Sequence, residues 1–269
     1  MKYETIHNLH IPKIGFGCWT IGGHKTPVPD LDGPSLLALR SALDLGYTHF
    51  DTAEDYAAGH SEELLGQAIR QSGTSRDALF ITSKVHGTHL RYEAVLRACE
   101  GSLRHLGMDY IDLYLIHWPS KRMKLEETFR ALNKLVADGK VKHLGVSNFD
   151  LKLLKESQAA CATTLLTNQV PYSLADRTYV KNGVLAYCQA NDILLTAYSP
   201  VKRRAIRSSK IRAIAAAKGI TPQQLALAWL VQQPRVITIP MSFNPQHQAE
   251  NLAAVDVEMT ADELAQLAI

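Results

Sequence analysis

Cysteines and long apolar runs are both scarce in this sequence. Its 269 residues include four cysteines, Cys18, Cys99, Cys161 and Cys188, none with a CxxC or zinc-finger spacing. Such scatter is typical of reduced thiols and argues against a disulfide framework. No apolar stretch reaches the roughly 18 residues that a membrane span needs, and the first five residues hold no apolar signal core. We therefore expect a cytoplasmic protein with no membrane segment.

A strong charge of one sign is also missing. The 29 Lys and Arg residues nearly balance the 26 Asp and Glu residues, for a formal net charge of +3. A nucleic-acid surface needs clustered Lys and Arg, so we expect no nucleic-acid partner. The sequence lacks the apolar heptad repeat that forms coiled coils, so we expect a monomer.

The apolar content is sufficient for one large core. Hydrophobic residues make up 46% of the chain, and α/β barrels commonly fill about 250 residues as one domain. Residues 1–269 are therefore predicted to form a single domain.

Short apolar runs alternate with segments of helical periodicity along the chain. The predicted strands are Ile14–Gly17, His49–Asp51, Phe80–Lys84, Ile111–His117, Leu144–Ser147, Leu166–Gln169, Leu194–Tyr198 and Val236–Pro240. The clearest predicted helices are Pro34–Leu45, Ser61–Gln71, Tyr92–Leu106, Leu125–Ala137 and Thr178–Ala190. Eight strand–helix units predict an α/β protein with a parallel sheet covered by helices, and eight strands close into a (β/α)8 TIM barrel.

A doubly wound open sheet is the alternative architecture. It predicts a Gly-x-Gly-x-x-Gly turn after an early strand, whereas the early glycines Gly15 and Gly17 are followed by Cys18 and Trp19. Before the first unit, Tyr3–Ile6 and Leu9–Pro12 predict a short β-hairpin across the bottom of the barrel.

Polar residues stand at the carboxyl ends of consecutive predicted strands. Asp51 ends the second strand, with Tyr56 in the loop beyond it, while Lys84 and His117 end the third and fourth. Barrel active sites lie at this rim. Because a buried charge is costly unless paired, Lys84 and Asp51 are predicted to form an ion pair.

A tyrosine beside a lysine has a chemical use. The ammonium of Lys84 stabilises the phenolate of Tyr56 and is expected to lower its pKa from about 10, which makes Tyr56 a proton donor. A neutral His117 would hydrogen-bond and orient a substrate oxygen. Each residue alone also fits a structural role: ion-pair partner, rim residue, core histidine or helix cap.

Several ordered motifs carry a family resemblance. The segment GYTHFDTAEDY at 46–56, LYLIHWP at 113–119, GVSNF at 145–149 and the pair Ile239-Pro240 resemble the signatures of the aldo-keto reductases. The resemblance runs from Ile14 to the end of the chain. It implies a barrel that reduces aldehydes or ketones with NADP(H), and it implies that Asp51, Tyr56, Lys84 and His117 are the catalytic tetrad.

The same resemblance implies where cofactor and substrate bind. Ser147, Asn148 and Gln169 would hold the nicotinamide carboxamide, and Tyr198 would stack on the ring. The remaining implied cofactor residues are Gly17, Cys18, Trp19, Asp51, Ser199, Pro200, Val201, Arg203, Ile239, Pro240, Met241, Ser242, Phe243, Asn244, His247, Glu250 and Asn251. Trp19, Tyr56, His117 and Trp118 would contact a small aldehyde or ketone.

Two positions depart from the pattern of NADPH-preferring relatives. Met241 and His247 occupy places where those relatives usually have lysine and arginine, which grip the 2′-phosphate. Met241 carries no charge, and an unperturbed imidazole is only partly protonated near pH 7. We therefore hypothesise weakened NADPH selectivity, with NADH use possible.

Other functions remain open at this stage. A redox-sensing or channel-associated subunit would keep the cofactor site and turn over slowly. A Schiff-base aldolase would use a neutral Lys84 as nucleophile, which a neighbouring Asp51 disfavours. Metal-dependent hydrolysis is disfavoured because no His-x-His pair ends a strand, and we expect no metal.

Overall fold

The computed structural model describes residues 2–267 apart from the side chain of Arg203. Its strands, in chain order, are β1 Tyr3–Ile6, β2 Leu9–Pro12, β3 Phe16–Gly17, β4 His49–Asp51, β5 Phe80–Val85, β6 Ile111–Ile116, β7 Val141–Ser147, β8 Thr167–Pro171, β9 Leu194–Tyr198 and β10 Val236–Thr238. From β3 to β10 each strand pairs in parallel with the next one along the chain.

Contacts between the first and last segments of this sheet close the barrel. Ile14 forms a parallel bridge with Thr238. The backbone N–H of Gly15 donates to the Thr238 carbonyl at 2.8 Å, and that of Gly17 donates to the Pro240 carbonyl at 3.1 Å. The prediction of a (β/α)8 barrel is thereby confirmed.

The helices are α1 Asp32–Asp44, α2 His60–Ser72, α3 Tyr92–Leu106, α4 Leu125–Ala137, α5 Leu151–Ala160, α6 Thr178–Lys181, α7 Val184–Ala190, α8 Arg203–Ile206, α9 Ser209–Ala217, α10 Pro222–Val231, α11 Pro245–Ala253 and α12 Ala261–Leu267. Their buried faces follow the helical period: in α3 the buried positions include Val95, Cys99, Ser102 and Leu106. Within residues 2–267, none of them combines the length and the apolar character that crossing a bilayer requires.

Several predicted boundaries differ from the structure by one or two residues, and two elements differ more, for identifiable reasons. The helix predicted over Thr178–Ala190 is two helices, because Gly183 has a φ of 83° in the left-handed region and ends the first one. Strand β7 begins at Val141, three residues before its predicted start. The polar residues Lys142 and His143 interrupt the apolar run, so the sequence pattern did not show that the strand begins at Val141.

The N-terminal hairpin lies where the sequence predicted it. Strands β1 and β2 pair from Tyr3 with Pro12 to Ile6 with Leu9. Its two-residue turn has positive φ at both positions, as a type I′ turn requires. Ile6 and Ile11 pack against Leu115 and other residues of the barrel strands, and close the end of the barrel opposite the polar rim.

Candidate active site

A cavity of about 330 Å³ opens at the carboxyl ends of the strands. It is lined by Gly17, Trp19, Asp51, Asp55, Tyr56, His117, Trp118, Ser147, Asn148, Gln169, Tyr198, Ser199, Pro200, Ile239 and Met241. Apart from Asp55, these residues were all implied for catalysis or for cofactor and substrate binding. They lie in or directly after every barrel strand except β5, because the barrel gathers the carboxyl ends of its strands at one rim.

Lys84 lies beneath this cavity with its ammonium fully buried. Its Nζ donates to Asp51 Oδ1 at 2.5 Å, to the Thr52 carbonyl at 2.7 Å and to Tyr56 Oη at 3.2 Å. Burial opposes the charge, but the Asp51 carboxylate and Tyr56 outweigh it, so the pKa of Lys84 lies above its ordinary value. The predicted Asp51–Lys84 ion pair is present.

Tyr56 carries its hydroxyl at the floor of the cavity. Burial raises the pKa of Tyr56 to about 12, although the Lys84 ammonium acts in the opposite direction. Lys84 acts on this pKa in the expected direction, but the net value does not fall below 10, because removal from water destabilises the phenolate more than one ammonium stabilises it. Tyr56 remains protonated at neutral pH and keeps its proton for donation.

The backbone after Tyr56 is strained. Ala57 and Ala58 have φ values of 49° and 54°, and Gly59 follows at 92°. Non-glycine residues avoid this left-handed region because Cβ crowds the backbone. The N–H of Ala57 donates to the His24 carbonyl at 2.7 Å, and the Trp19 ring meets the Tyr56 ring edge-on at 4.9 Å between centroids. These contacts fix the tyrosine over the lysine.

Polar side chains on β7, β8 and β9 face Asp51 from the other side of the barrel. Gln169 Nε2 donates to Asp51 Oδ2 at 2.7 Å. Asn148 Nδ2 donates to Ser147 Oγ at 2.9 Å, and Tyr198 Oη donates to Asn148 Oδ1 at 2.9 Å. The amide and hydroxyl groups implied for a carboxamide are thus adjacent, and they order one another.

His117 follows β6 and pairs with a residue that the sequence analysis did not single out. Its Nδ1 lies 3.0 Å from Asp55 Oδ1, and its ring meets the Tyr56 ring at 5.6 Å. Burial lowers the pKa of His117 below its ordinary value, and the Asp55 carboxylate opposes that shift. Asp55 directly precedes the tyrosine in sequence, but only the fold shows that its carboxylate turns towards the histidine.

A second cavity, of about 440 Å³, shares Ser199, Pro200 and Met241 with the first. Its other lining residues are Val201, Thr221, Gln223, Pro240, Ser242, His247, Glu250 and Asn251. Thr221 and Gln223 were missed by the sequence analysis, because Thr221 forms a capping box with Gln224 and the segment indicates only the start of a helix. Among the described side chains that line this cavity, His247 is the single basic one, and none is lysine or arginine.

Three implied cofactor residues line neither cavity. Cys18 is fully buried, where desolvation raises the pKa of its thiol, Asn244 caps α11 by accepting from the N–H of Gln246, and Phe243 is exposed. The side chain of Arg203 lies outside the described residues. Within residues 2–267, no cluster of metal-ligating side chains is present.

Comparison with known proteins agrees with this architecture. Residues 13–269 match the family model described as the aldo/keto reductase family. The chain is 35% identical to methylglyoxal reductase YeaE of Escherichia coli (97% of this chain, 91% of the relative) and 36% identical to glyoxal reductase of Bacillus subtilis (96% and 89%).

Solved structures give the same result. The thermostable aldo-keto reductase Tm1743, solved with the inhibitor epalrestat, superposes with a TM-score of 0.96 at 41% identity, over 100% of this chain and 99% of the other. An aldo-keto reductase from Klebsiella pneumoniae in complex with NADPH superposes with a TM-score of 0.89 at 38% identity, over 99% and 94%. The chain therefore belongs to the aldo/keto reductase family of NAD(P)H-dependent carbonyl reductases.

Proposed function

We propose that this protein reduces small aldehydes or ketones to alcohols, with Tyr56 as the general acid. The observation that carries the proposal is the position of the Lys84 ammonium, 3.2 Å from Tyr56 Oη and 2.5 Å from Asp51 Oδ1, under a cavity lined by Tyr56 and His117. A charged lysine that contacts one phenol is suited to stabilise the phenolate left after proton donation.

The residues present fit a nicotinamide dinucleotide. Two cavities that share Ser199, Pro200 and Met241 make an elongated site. The polar groups of Asn148 and Gln169 line the end nearest Tyr56, where they match the hydrogen bonds of a carboxamide. When bound, the reduced nicotinamide supplies the hydride for the carbonyl carbon.

Side chains of this protein supply the proton and stabilise the charges that develop in the reaction. Tyr56 donates its hydroxyl proton to the carbonyl oxygen as that oxygen gains negative charge, and Lys84 stabilises the resulting phenolate. Asp51 holds Lys84 charged and oriented. Because the pKa of Lys84 lies above its ordinary value, a neutral amine nucleophile is disfavoured, and with it the Schiff-base aldolase.

The test is a spectrophotometric assay with both reduced cofactors and a panel of small aldehydes, ketones and dicarbonyls. A fall in the absorbance of the reduced nicotinamide on addition of a carbonyl supports the proposal. Two of the relatives are named for methylglyoxal and glyoxal, so the panel begins with those dicarbonyls. Tight cofactor binding without turnover on any member would instead favour the cofactor-binding subunit.

We also propose that selectivity for NADPH over NADH is weak. Met241 and His247 line the second cavity, and among the described side chains no lysine or arginine joins them there. A 2′-phosphate would therefore meet the imidazole of His247 in place of the lysine and arginine of NADPH-preferring relatives. The ratio of kcat/KM for NADPH and NADH measures this, and a preference above about a thousandfold, or roughly 4 kcal/mol, contradicts it.

We further propose that the chain acts as a single-domain monomer in the cytoplasm. The single domain was predicted from the length and apolar content of the chain, the monomer from the lack of an apolar heptad repeat, and the cytoplasm from the scattered cysteines, which are typical of reduced thiols. Light scattering coupled to gel filtration measures the mass: one chain of 29.8 kDa supports the monomer, and twice that mass contradicts it.

A further inference from the structure

The contact between Asp55 and His117 has consequences for the proposed reaction. The two side chains are only 33% and 11% exposed, and Nδ1 and Oδ1 lie 3.0 Å apart. The backbone of His117 is held as well: its N–H donates to the Val85 carbonyl at 2.9 Å, and its carbonyl accepts from Asn148 Nδ2 at 3.2 Å. The imidazole therefore has one defined neighbour on its Nδ1 side.

This neighbour decides which ring nitrogen carries the proton. Burial by itself raises the pKa of Asp55, but the hydrogen bond from His117 and the nearby cations outweigh it and hold that pKa below its ordinary value. Asp55 is consequently a carboxylate at neutral pH, and a carboxylate accepts hydrogen bonds without donating any. The proton between the two groups must therefore belong to His117 Nδ1.

The opposite nitrogen is then left with a lone pair. A neutral imidazole has a single N–H, so a proton on Nδ1 makes Nε2 an acceptor. Within residues 2–267, Nε2 of His117 has no hydrogen-bond partner, and the ring lines the cavity beside Tyr56. A carbonyl oxygen is also an acceptor. The sequence-based expectation of a neutral His117 that donates to the substrate oxygen is therefore incompatible with this pairing.

We propose that Asp55 is a positioning residue that commits His117 to the Nδ1–H tautomer, so that His117 donates to a carbonyl oxygen only as the imidazolium and reduction is favoured towards acidic pH. The proposal rests on the reductase function proposed above. Asp55 acts through its hydrogen bond with the histidine.

Among the described groups that contact His117, none other than the imidazole itself changes its protonation near neutral pH. The ionisable groups around it are Asp51, Asp55 and Tyr56 from β4 and its loop, and Lys84 from β5. His86, in the loop after β5, acts on Asp55, while Asn148 after β7 does not ionise. Tyr56 and Lys84 lose their protons far above neutrality and Asp55 far below it.

The first test observes the tautomer directly and needs no substrate. In ¹⁵N-labelled protein, long-range ¹H–¹⁵N correlation spectra distinguish the two neutral forms of His117, with the signal assigned by its loss in His117→Gln. We expect the proton on Nδ1 in the wild type. We expect it on Nε2 in Asp55→Leu, which removes the acceptor and frees the ring to take the form that imidazole prefers in water. A wild-type His117 with its proton on Nε2 overturns the proposal, whether or not the variant folds.

The second test is the pH dependence of kcat/KM for carbonyl reduction. In the wild type the value is expected to fall by close to tenfold per pH unit above the pKa of His117, since only the imidazolium donates. In Asp55→Leu a neutral Nε2–H donates throughout, so the profile between about pH 6 and 8.5 becomes nearly flat. An unchanged slope in the variant contradicts the proposal.

Matched controls separate this role from a general change in charge. Glu54→Gln removes a carboxylate one residue away that bonds the N–H of His86 and the His89 ring but not His117. His86→Asn removes the other nearby imidazole. Both are expected to keep the wild-type slope and the Nδ1–H signal. If the wild type reduces no carbonyl at all, the proposed function fails, while the tautomer measurement still decides the assignment of Asp55.

Discussion

The ammonium of Lys84 contacts the hydroxyl of Tyr56 at 3.2 Å while a carboxylate of the neighbouring strand, Asp51, holds the same ammonium at 2.5 Å. The three groups come from β4, its loop and β5, and the lysine has no exposed surface. This geometry makes the lysine a fixed charge and leaves the tyrosine as the group that exchanges a proton with the cavity.

Replacement of the phenol is the most direct check on the general acid. Tyr56→Phe is expected to lower kcat for reduction by about 10²- to 10⁴-fold, because it removes only the proton donor. Cofactor affinity, measured by quenching of tryptophan fluorescence, should stay within a factor of a few. Near-normal turnover in Tyr56→Phe would show that another group supplies the proton.

Loss of the lysine should impair stability and activity together. Lys84→Met leaves the Asp51 carboxylate buried without its cation, which costs about 3–5 kcal/mol of unfolding free energy. The double variant Asp51→Asn/Lys84→Met removes both charges and is expected to regain much of that stability in urea unfolding. Activity should remain low in both, because no cation faces Tyr56. A double variant that recovers activity along with stability would contradict a catalytic role for Lys84.

Introducing a lysine and an arginine into the second cavity should strengthen NADPH selectivity. The double variant Met241→Lys/His247→Arg places permanent charges in the second cavity, where each charge-assisted bond to a phosphate contributes about 1.5–3 kcal/mol. The ratio of kcat/KM for NADPH over NADH is expected to rise by at least about tenfold. Gln246→Lys adds a cation to an exposed position of the same helix outside the cavity and serves as the control with an unchanged ratio.

The strained turn after Tyr56 offers a stabilising substitution. Ala58 is exposed and has a φ of 54°, a conformation that costs an L-residue about 1–2 kcal/mol and glycine nothing. Part of this gain is lost to the greater freedom of glycine in the unfolded chain, so Ala58→Gly is expected to add about 0.5–1 kcal/mol. Urea denaturation measures it, with Ala94→Gly in regular helix α3 as the control that should destabilise.

The pair of His105 and Glu62 should make stability depend on pH. Glu62 is fully buried, and its hydrogen bond at 3.2 Å raises the pKa of His105. A group whose folded-state pKa is raised contributes its stabilisation fully below its unfolded pKa, near 6.5, and loses it as pH rises through the folded value.

The stabilisation that this pair contributes is therefore expected to decline from pH 6 towards pH 8.5, and the difference in melting temperature between the wild type and His105→Gln measures it. The variant should lack that decline, since glutamine keeps a donor near Glu62 without titrating. The same decline in the variant would assign it to other groups, such as His60, whose pKa Glu63 and Asp32 also raise against the effect of burial.

Local patterns predicted the elements of this fold because helix and strand periods are written in neighbouring residues. The bounds of α3, α4, β4 and β9 agree with the prediction, and the hairpin register follows from the two-residue turn at His7 and Asn8. Prediction failed where local signals were ambiguous, as at Gly183 inside one helical period and at Lys142 in an otherwise apolar strand.

The sequence alone determined which polar residues lie near the strand ends: Asp51, Tyr56, Lys84 and His117. It also predicted that they meet, because the parallel strands of a barrel bring their carboxyl ends to one rim. The tertiary structure decided three other features. These are the pKa of Tyr56, the pairing of Asp55 with His117, and the presence of Thr221 and Gln223 in the lining of the second cavity. Desolvation and hydrogen-bond direction depend on which atoms surround a group in space. Residues far apart in the chain supply those atoms, and no local pattern records them.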